Sequence, residues 1–263
     1  MEKIAVIKIG GKVIDNPDQL RFFLKSFAGF NMKKVLVHGG GKMIDQICSR
    51  LGIKVRMTGG RRITDDQTLE VVQMVLAGLI NKNIVSILQG WGCNALGLTG
   101  ADGNLITSDK RPVRDGIDFG RVGDVREVNL NELEYLITGG YVPIVASLTH
   151  DGRGSMLNTN ADTIASVLAQ NLSERYETDL VYCFEQAGVL NDIRDESSVI
   201  PQIRLSDFES LKSTGRITEG MIPKIENALS AVRQGVKRVY ITNINNAGEY
   251  LSGRKTDGTL IIK

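Results

Sequence analysis

The sequence predicts an α/β protein with an open, mainly parallel sheet, from three observations. In the segment 3–9, apolar residues occupy adjacent positions instead of alternating with polar ones, which is typical of a central strand covered on both faces. Strand-like and helix-like segments then alternate, as parallel strands joined by helical crossovers require. The chain of 263 residues is 42% hydrophobic, which is enough for a sizeable core around such a sheet.

Each element is predicted from its own pattern of apolar positions and its helix signals. Thr64 or Asp65 can cap a long helix that ends before Gly90, and the Gly- and Asp-rich segment 95–129 predicts hairpins that project from the main sheet. The predicted strands are 3–9, 35–38, 142–146, 178–183, 236–242 and 259–262. The predicted helices are 16–27, 42–51, 66–88, 130–138, 163–172, 206–212 and 222–234.

A lobe boundary is predicted near Glu174. The stretch 171–177 is the most polar one between two firmly apolar elements, and such stretches are typical of domain boundaries. The boundary divides the chain into two lobes, 1–174 and 175–263.

Composition excludes several classes of function. The 32 Lys and Arg residues nearly balance 30 Asp and Glu residues, so the net charge of +2 gives no global attraction for nucleic acid or an anionic membrane. The three cysteines lack the spacing of a zinc or disulfide framework. The apolar N-terminal run is too short for a signal peptide, and no later segment has roughly 18 consecutive apolar residues. We expect a soluble cytoplasmic protein that binds neither nucleic acid nor a membrane.

Two lysines lie where an anion is expected. Lys8 belongs to the first apolar strand and precedes Gly10 and Gly11, at the strand end where open α/β sheets bind ligands. Lys224 falls in the first turn of the predicted helix 222–234, where a cation meets the positive end of the helix dipole. A nearby anionic ligand would offset the cost of burying the Lys8 ammonium and the unfavourable interaction of Lys224 with the helix dipole. The alternative is that each ammonium simply reaches solvent.

The turn His38-Gly39-Gly40-Gly41 joins a strand to a helix. Glycines let the backbone approach a ligand closely, and N–H groups at a helix N-terminus bind anions such as phosphate. The turn fits neither the dinucleotide fingerprint nor the P-loop pattern, which disfavours both kinds of site. A tight turn alone would need only one or two glycines.

Two further stretches carry side chains suited to a small polar substrate. Arg61 and Arg62 could hold a carboxylate in a guanidinium fork, and we expect only one of them to point inward. In the stretch MLNTNAD, Asn158, Asn160 and Asp162 point the same way if the backbone is extended. The alternative for Asn160 is a helix cap.

Lys8 with its glycines, HGGG, GGRRIT, LNTNAD and GMIPK occur in this order, and together they resemble the amino acid kinase family over essentially the whole chain. Within the family, the resemblance is to enzymes that phosphorylate the side-chain carboxylate of an N-acylated glutamate in arginine biosynthesis. It implies an αβα sandwich with an acyl-amino-acid lobe followed by a nucleotide lobe. It also implies small-molecule substrates, with ATP and its Mg²⁺ as the phosphoryl donor.

The resemblance assigns roles motif by motif. It implies that Lys8 and Lys224 flank the transferred phosphoryl group and that Asp162 holds both lysines in position. The implied substrate-binding residues are Gly39, Gly40, Arg62, Asn158 and Asn160. The implied phosphate-binding residues are Gly10, Gly11 and Gly41. No protein metal ligand is implied, and no general base is required because the acceptor is already a carboxylate.

The sequence departs from the family pattern after the strand 178–183. Where these kinases usually carry Ser-Asp-Val, the sequence has Phe184, Glu185 and Gln186, which changes the expected surface of the nucleotide lobe. The chain also begins directly at its first strand, without the N-terminal helix of arginine-inhibited hexameric relatives. We therefore expect an uninhibited homodimer built on the helix 66–88.

Several alternatives remain open at this point. The acyl group could be acetyl or a bulkier group such as succinyl. A kinase for a carrier-bound aminoadipate would need a basic rim around the substrate mouth, for which the candidates are Arg111, Arg114, Arg121 and Arg126. A non-catalytic nucleotide or amino-acid sensor would be favoured by loss of Lys8, Lys224 or Asp162, and all three residues are present.

Overall fold

The computed structural model describes residues 1–192, 194–214, 217, 221–254 and 256–263. In the GMIPK motif, Gly220 and the side chain of Pro223 lie outside the described residues. The strands are β1 (Lys3–Ile9), β2 (Lys33–His38), β3 (Arg56–Thr58), β4 (Arg61–Ile63), β5 (Ala95–Leu98), β6 (Ile106–Lys110), β7 (Gly123–Val128), β8 (Val142–Ala146), β9 (Leu148–His150), β10 (Met156–Asn158), β11 (Glu177–Phe184), β12 (Gln202–Arg204), β13 (Arg238–Asn243) and β14 (Thr259–Ile262).

Helices alternate with these strands. They are α1 (Gly11–Ile14), α2 (Pro17–Ala28), α3 (Gly41–Arg50), α4 (Asp66–Gln73), α5 (Asn81–Gln89), α6 (Leu130–Thr138), α7 (Ala161–Leu172), α8 (Phe208–Ser213), α9 (Ile222–Arg233) and α10 (Ile244–Leu251). A π-helical segment, Met74–Ile80, joins α4 to α5, and a short 3₁₀ turn covers Asp102–Asn104.

The chain forms two compact units. The first unit combines Met1–Leu36 with Ala165–Lys263, and the second unit is Val37–Ile164. The two units are defined by compactness, whereas the predicted lobes 1–174 and 175–263 are defined by function. The division into these lobes stays a prediction.

The first unit is built on a mostly parallel sheet. Its strand order is β12-β14-β13-β11-β1-β2. The pairs β1/β11, β11/β13 and β12/β14 are parallel, while β13 and β14 are antiparallel. Helix α9 packs on β13 and β14, and α10 packs on β11 and β13. The predicted α/β class with a mainly parallel sheet is confirmed.

The local sequence explains the elements nearest the predicted lysine site. In β1, the side chains of Ile4, Val6, Ile7 and Ile9 are fully buried, as expected for a strand covered on both faces. Burial of each such side chain contributes about 1.5–3 kcal/mol. Helix α2 begins where the Asn16 side chain accepts hydrogen bonds from two backbone N–H groups of its first turn, as an N-cap residue should.

The second unit carries a parallel pair and two smaller sheets. Strands β5 and β8 are parallel. A four-stranded sheet has the order β10-β9-β6-β7, and β3 and β4 form a hairpin. The turn of this hairpin is Gly59-Gly60, with φ of +55° and +72°, which is the left-handed backbone that glycine adopts without strain.

The segment 95–129 is only partly hairpin. Strands β6 and β7 are antiparallel and belong to the small sheet, as predicted. Strand β5, however, pairs in parallel with β8, so its assignment to a hairpin was wrong. Four residues with a glycine among them are too short a run for a period of two to be told from a continuous apolar pattern.

The long helix Asp66–Gln89 is continuous through its π-helical middle. Among the described residues it alone matches a membrane span by length and composition, with a mean hydropathy of 1.7 over a window that is 44% buried. The helix carries polar residues among its apolar ones, so a search for consecutive apolar residues does not identify it. Core helices of soluble proteins have the same length and composition, so the match is weak evidence for a membrane span.

Candidate functional site

The first unit holds Lys8 at the carboxyl end of a buried strand. Lys8 is the penultimate residue of β1 and is only 8% exposed. Gly10 and Gly11 begin the next turn, and a side-chain carbon at Gly10 would lie 3.8 Å from the Lys8 ammonium and 3.6 Å from the carbonyl oxygen of Cys183. The missing side chain at Gly10 therefore keeps the space beside this ammonium open to a ligand.

Lys224 lies in the first turn of α9, as predicted. The helix begins at Ile222 and ends at Arg233, within one residue of the predicted helix. Lys224 is half-buried, and its ammonium lies 3.8 Å from the centre of the Phe184 ring. The Lys8 ammonium lies 5.1 Å from the centre of the same ring. The first unit thus brings the two predicted lysines to one side chain.

Cys183, which precedes Phe184 in β11 and is in register with Ile9 of β1, is not available as a nucleophile. Complete burial raises the pKa of its thiol to about 12, although the positive charge of Lys8 acts in the opposite direction. The residue stays a neutral thiol at physiological pH.

A cavity of about 520 Å³ opens in the first unit beside these residues. Its lining includes Phe22, Phe184 and an ion pair between Lys12 and Glu185. The lining mixes apolar side chains with charged and amide groups, and its volume is in the range of small-molecule sites. Phe184 and Glu185, at which the sequence departs from the family pattern, therefore line this cavity.

The second unit carries the glycine turn, in which Gly40 is required by packing. A side-chain carbon at Gly40 would lie 2.2 Å from Cδ1 of Ile80 and 2.9 Å from Cδ2 of Leu76, so any other residue would require these two buried side chains to shift. Gly40 also precedes the first residue of α3, Gly41, and has no side chain to cap the N–H groups of that helix. These N–H groups can donate to an anion.

Arg62 lies against this turn. Its guanidinium donates a 3.0 Å hydrogen bond to the Gly41 carbonyl and forms an ion pair with Asp45 of α3. The Arg62 side chain is only 8% exposed, whereas Arg61 is exposed, so the expectation that one arginine points inward is confirmed. The predicted carboxylate-binding group is thus fixed beside a predicted phosphate-binding glycine.

The MLNTNAD stretch changes conformation within its length. Asn158 ends β10, and its amide donates a 3.0 Å hydrogen bond to the hydroxyl of Thr64. Asn160 caps α7, because its side-chain oxygen accepts hydrogen bonds of 2.8 and 3.1 Å from the N–H groups of Asp162 and Thr163. The extended backbone, in which alternate side chains point the same way, therefore ends at Asn158. The helix-cap alternative for Asn160 is correct.

Asp162 lies in the first turn of α7 and is half-buried. The helix dipole stabilises a carboxylate in this first turn, whereas it disfavours the ammonium of Lys224 in the first turn of α9.

Sequence reasoning missed some partners of these groups. Asp45 follows the glycine turn by four residues, so its helical spacing from Gly41 could have indicated that it faces the site. From the sequence, Phe184 is evident only as a departure from the family pattern. Its position at the end of β11, next to β1, was the available signal for contact with Lys8.

Among the described residues, no group of three or more His, Cys, Asp or Glu side chains could hold a metal ion. The donors assembled in the two units are instead ammoniums, a guanidinium, amides and backbone N–H groups, which suit anionic oxygens.

Comparison with known proteins gives a consistent result. The sequence matches the model of the Amino acid kinase family over residues 3–243. It is 52% identical over 262 residues to acetylglutamate kinase of Cytophaga hutchinsonii, covering 100% of this chain and 99% of that enzyme. It is 54% identical over 241 residues to acetylglutamate kinase of Bacteroides thetaiotaomicron, covering 92% and 93% of the two chains. The crystal structure of smu.665 from Streptococcus mutans UA159 is similar with a TM-score of 0.78 and 30% identity, over 98% of each chain. The chain belongs to the amino acid kinase family.

Proposed function

We propose that the protein transfers the γ-phosphoryl group of ATP to the γ-carboxylate of an N-acylated L-glutamate. The acceptor is N-acetyl-L-glutamate or a close analogue such as N-succinyl-L-glutamate, and the product is an acyl phosphate of arginine biosynthesis. The observation that carries the reaction class is the convergence of the Lys8 and Lys224 ammoniums on one ring. The acceptor is proposed from the full-length similarity to acetylglutamate kinases.

The reaction requires positioning and charge stabilisation more than covalent help. A carboxylate oxygen of the acceptor attacks the γ-phosphorus, and the bond from that phosphorus to the β,γ-bridging oxygen breaks to release ADP. No proton is transferred in this step, so the site needs no general base. Asp162 is therefore an organiser of the lysines and not a base.

The lysines and glycines are proposed to bind the transferred group. The ammoniums of Lys8 and Lys224 would neutralise the charge that develops on the phosphoryl oxygens. Backbone N–H groups of Gly10, Gly11 and Gly41 would donate to the same oxygens. Fixed donors of this kind stabilise a transition state without reorganising during the reaction.

The amino-acid end of the acceptor is assigned to the second unit. Arg62, held by Asp45 and the Gly41 carbonyl, would pair with the α-carboxylate. Asn158 would contact the acylamino group, and Asn160, two residues further along the chain, would support the same site. Gly39 and Gly40 would allow the substrate to approach the backbone closely.

Mg²⁺ is proposed to arrive with the ATP phosphates, where it supplies charge neutralisation. The donors of this chain fit that arrangement, since ammonium and N–H groups bind the phosphate oxygens and leave the metal to its phosphate and water ligands.

The protein is proposed to be a cytoplasmic homodimer that pairs through the helix Asp66–Gln89. Its side chains Met74 and Leu79 are 55% and 46% exposed although they are apolar, which favours a covered face. Light scattering should give twice the monomer mass, and Leu79→Glu should shift the protein towards monomer. A monomeric wild-type protein at micromolar concentration would contradict this assembly.

The carrier-bound alternative is less well supported. A broad basic rim is needed to receive an acidic carrier, but three of its four candidate arginines are engaged in ion pairs. These pairs are Arg111 with Asp124, Arg121 with Asp66, and Arg126 with Asp109. Their charges are largely neutralised locally.

A hydroxamate-trapping assay tests the proposal. The purified protein is incubated with ATP, Mg²⁺ and hydroxylamine, and with N-acetylglutamate, N-succinylglutamate, glutamate or aminoadipate in separate reactions. We expect the hydroxamate from one or both N-acylglutamates and none from free glutamate. Silence across the panel, with ATP still bound in calorimetry, would support the sensor alternative instead.

A further inference from the structure

Phe184 occupies a central place among the candidate catalytic groups of the first unit. The Lys224 ammonium lies 3.8 Å from its ring centre and the Lys8 ammonium 5.1 Å from it. Both distances are inside the range of about 6 Å in which the negative face of an aromatic ring attracts a cation. One ring therefore interacts with both cations.

The orientation of the ring is itself fixed. Phe184 stacks on Tyr182 with ring centres 5.9 Å apart and an interplanar angle of 16°. Both residues belong to β11, which is parallel to β1, and Tyr182 is in register with Lys8. The sheet thus presents the ring as a rigid surface beside the end of β1.

This ring can counteract two electrostatic costs. Lys224 lies at the positive end of the α9 dipole, and two ammoniums held near one another repel. The quadrupole of an aromatic ring attracts each cation without a formal negative charge. A carboxylate in the same place would also attract the lysines but would repel a phosphate, so an aromatic ring is better suited to an anion-binding site.

We propose that Phe184 is a positioning residue for phosphoryl transfer, holding the Lys224 and Lys8 ammoniums through cation–π contacts where the transferred phosphoryl group is bound. This role rests on the proposed kinase function. It assigns to Phe184 an effect on the rate of transfer that packing alone would not produce.

A kinetic comparison tests this role. Phe184→Leu keeps the apolar bulk and removes the ring, so it should lower kcat about tenfold while the KM for the N-acylglutamate changes by less than about twofold. Phe184→Tyr retains the ring and should restore most of the rate. Phe30→Leu is the matched control, because Lys34 lies 5.8 Å over the Phe30 ring at a place away from these lysines, and it should leave kcat unchanged.

The geometry is tested independently of activity by NMR. In protein labelled with ¹³C at the lysine ε-carbons, the Lys224 signal is assigned by its loss in Lys224→Arg. Its ε-protons should be shifted upfield by the ring current of Phe184, and the shift should disappear in Phe184→Leu and persist in Phe30→Leu. If the leucine variant does not fold, Phe184→Met takes its place in both experiments.

The outcomes separate the two proposals. A normal kcat in Phe184→Leu, with the upfield shift lost, would overturn the positioning role alone. A wild-type protein without the upfield shift would overturn the geometry on which the role depends. No turnover of any acceptor by the wild-type protein would overturn the proposed function and this role with it.

Discussion

Asn81 donates a 3.0 Å hydrogen bond to Nε2 of His38 and a second one of 2.8 Å to the carbonyl of Ile144. The other ring nitrogen of His38, Nδ1, donates to the carbonyl of Gly39 at 3.0 Å. The imidazole is completely buried and uses both nitrogens in its neutral form. A proton on Nε2 would face the Asn81 N–H group, so the neutral histidine is what holds the start of the glycine turn.

Stability should therefore fall on mild acidification. Burial lowers the pKa of His38 from 6.5 to about 4, so in this pH range the unfolded chain binds a proton that the folded protein does not. The free energy of unfolding then decreases as the pH falls from 6.5 towards 4. Between pH 7 and pH 4.5, urea denaturation should show the wild type losing about 2 kcal/mol more than His38→Gln.

Glutamine is a suitable comparison because its side-chain oxygen can accept from Asn81 but does not titrate in this range. Carboxylates elsewhere affect both proteins alike and cancel in the difference. Equal losses in the two proteins would show that His38 is not buried as a neutral imidazole.

Gly40→Ala should destabilise the protein through overpacking. The new methyl group would meet Ile80 and Leu76 at distances that require these two buried side chains to shift in a packed core, which costs about 1–3 kcal/mol. Thermal unfolding should show a lowered Tm. Gly29→Ala is the control, since its nearest neighbour would be an ordinary 3.5 Å contact, and a similar Tm for the two variants would refute the packing argument.

The sequence predicted more of the fold than of the site. Continuous apolar runs and helix caps act locally, which is why β1, α2 and the start of α9 could be placed from the sequence. The parallel partner of β5 could not be deduced, because pairing between strands distant in sequence depends on the whole sheet. The family resemblance named Lys8 and Lys224, but the ring that contacts both ammoniums lies at a position where this sequence differs from the family.

The MLNTNAD stretch shows the same limit at one residue. An asparagine such as Asn160 can serve either as a ligand-binding residue at a strand end or as a helix cap. Which of the two roles it has depends on where α7 begins. Its hydrogen bonds place it as a cap. The role of a residue type that suits both a strand end and a helix cap cannot be assigned from its spacing alone.

Arg62→Lys should weaken binding of the acceptor. The guanidinium is oriented by Asp45 and the Gly41 carbonyl and can form two parallel hydrogen bonds with a carboxylate, which a lysine ammonium cannot reproduce. Steady-state kinetics should show the KM for the N-acylglutamate rising about tenfold or more, with a smaller change in kcat. Arg61→Lys alters an exposed side chain and should behave as the wild type. A fall in kcat at unchanged KM would place Arg62 on the phosphoryl group instead.

Replacing either lysine should slow the chemical step. Removal of one cation that stabilises a developing anion typically costs about 100- to 1,000-fold in kcat, so Lys8→Ala and Lys224→Ala should each lose activity on that scale while ATP binding weakens far less. Single-turnover kinetics and calorimetry separate the two effects. Lys212→Ala removes a lysine from an exposed ion pair with Glu226 and should leave both measurements unchanged. Near-normal turnover in either alanine variant would mean that the ammonium it lacks does not act on the transition state, and the contact of that lysine with Phe184 would then be a matter of packing.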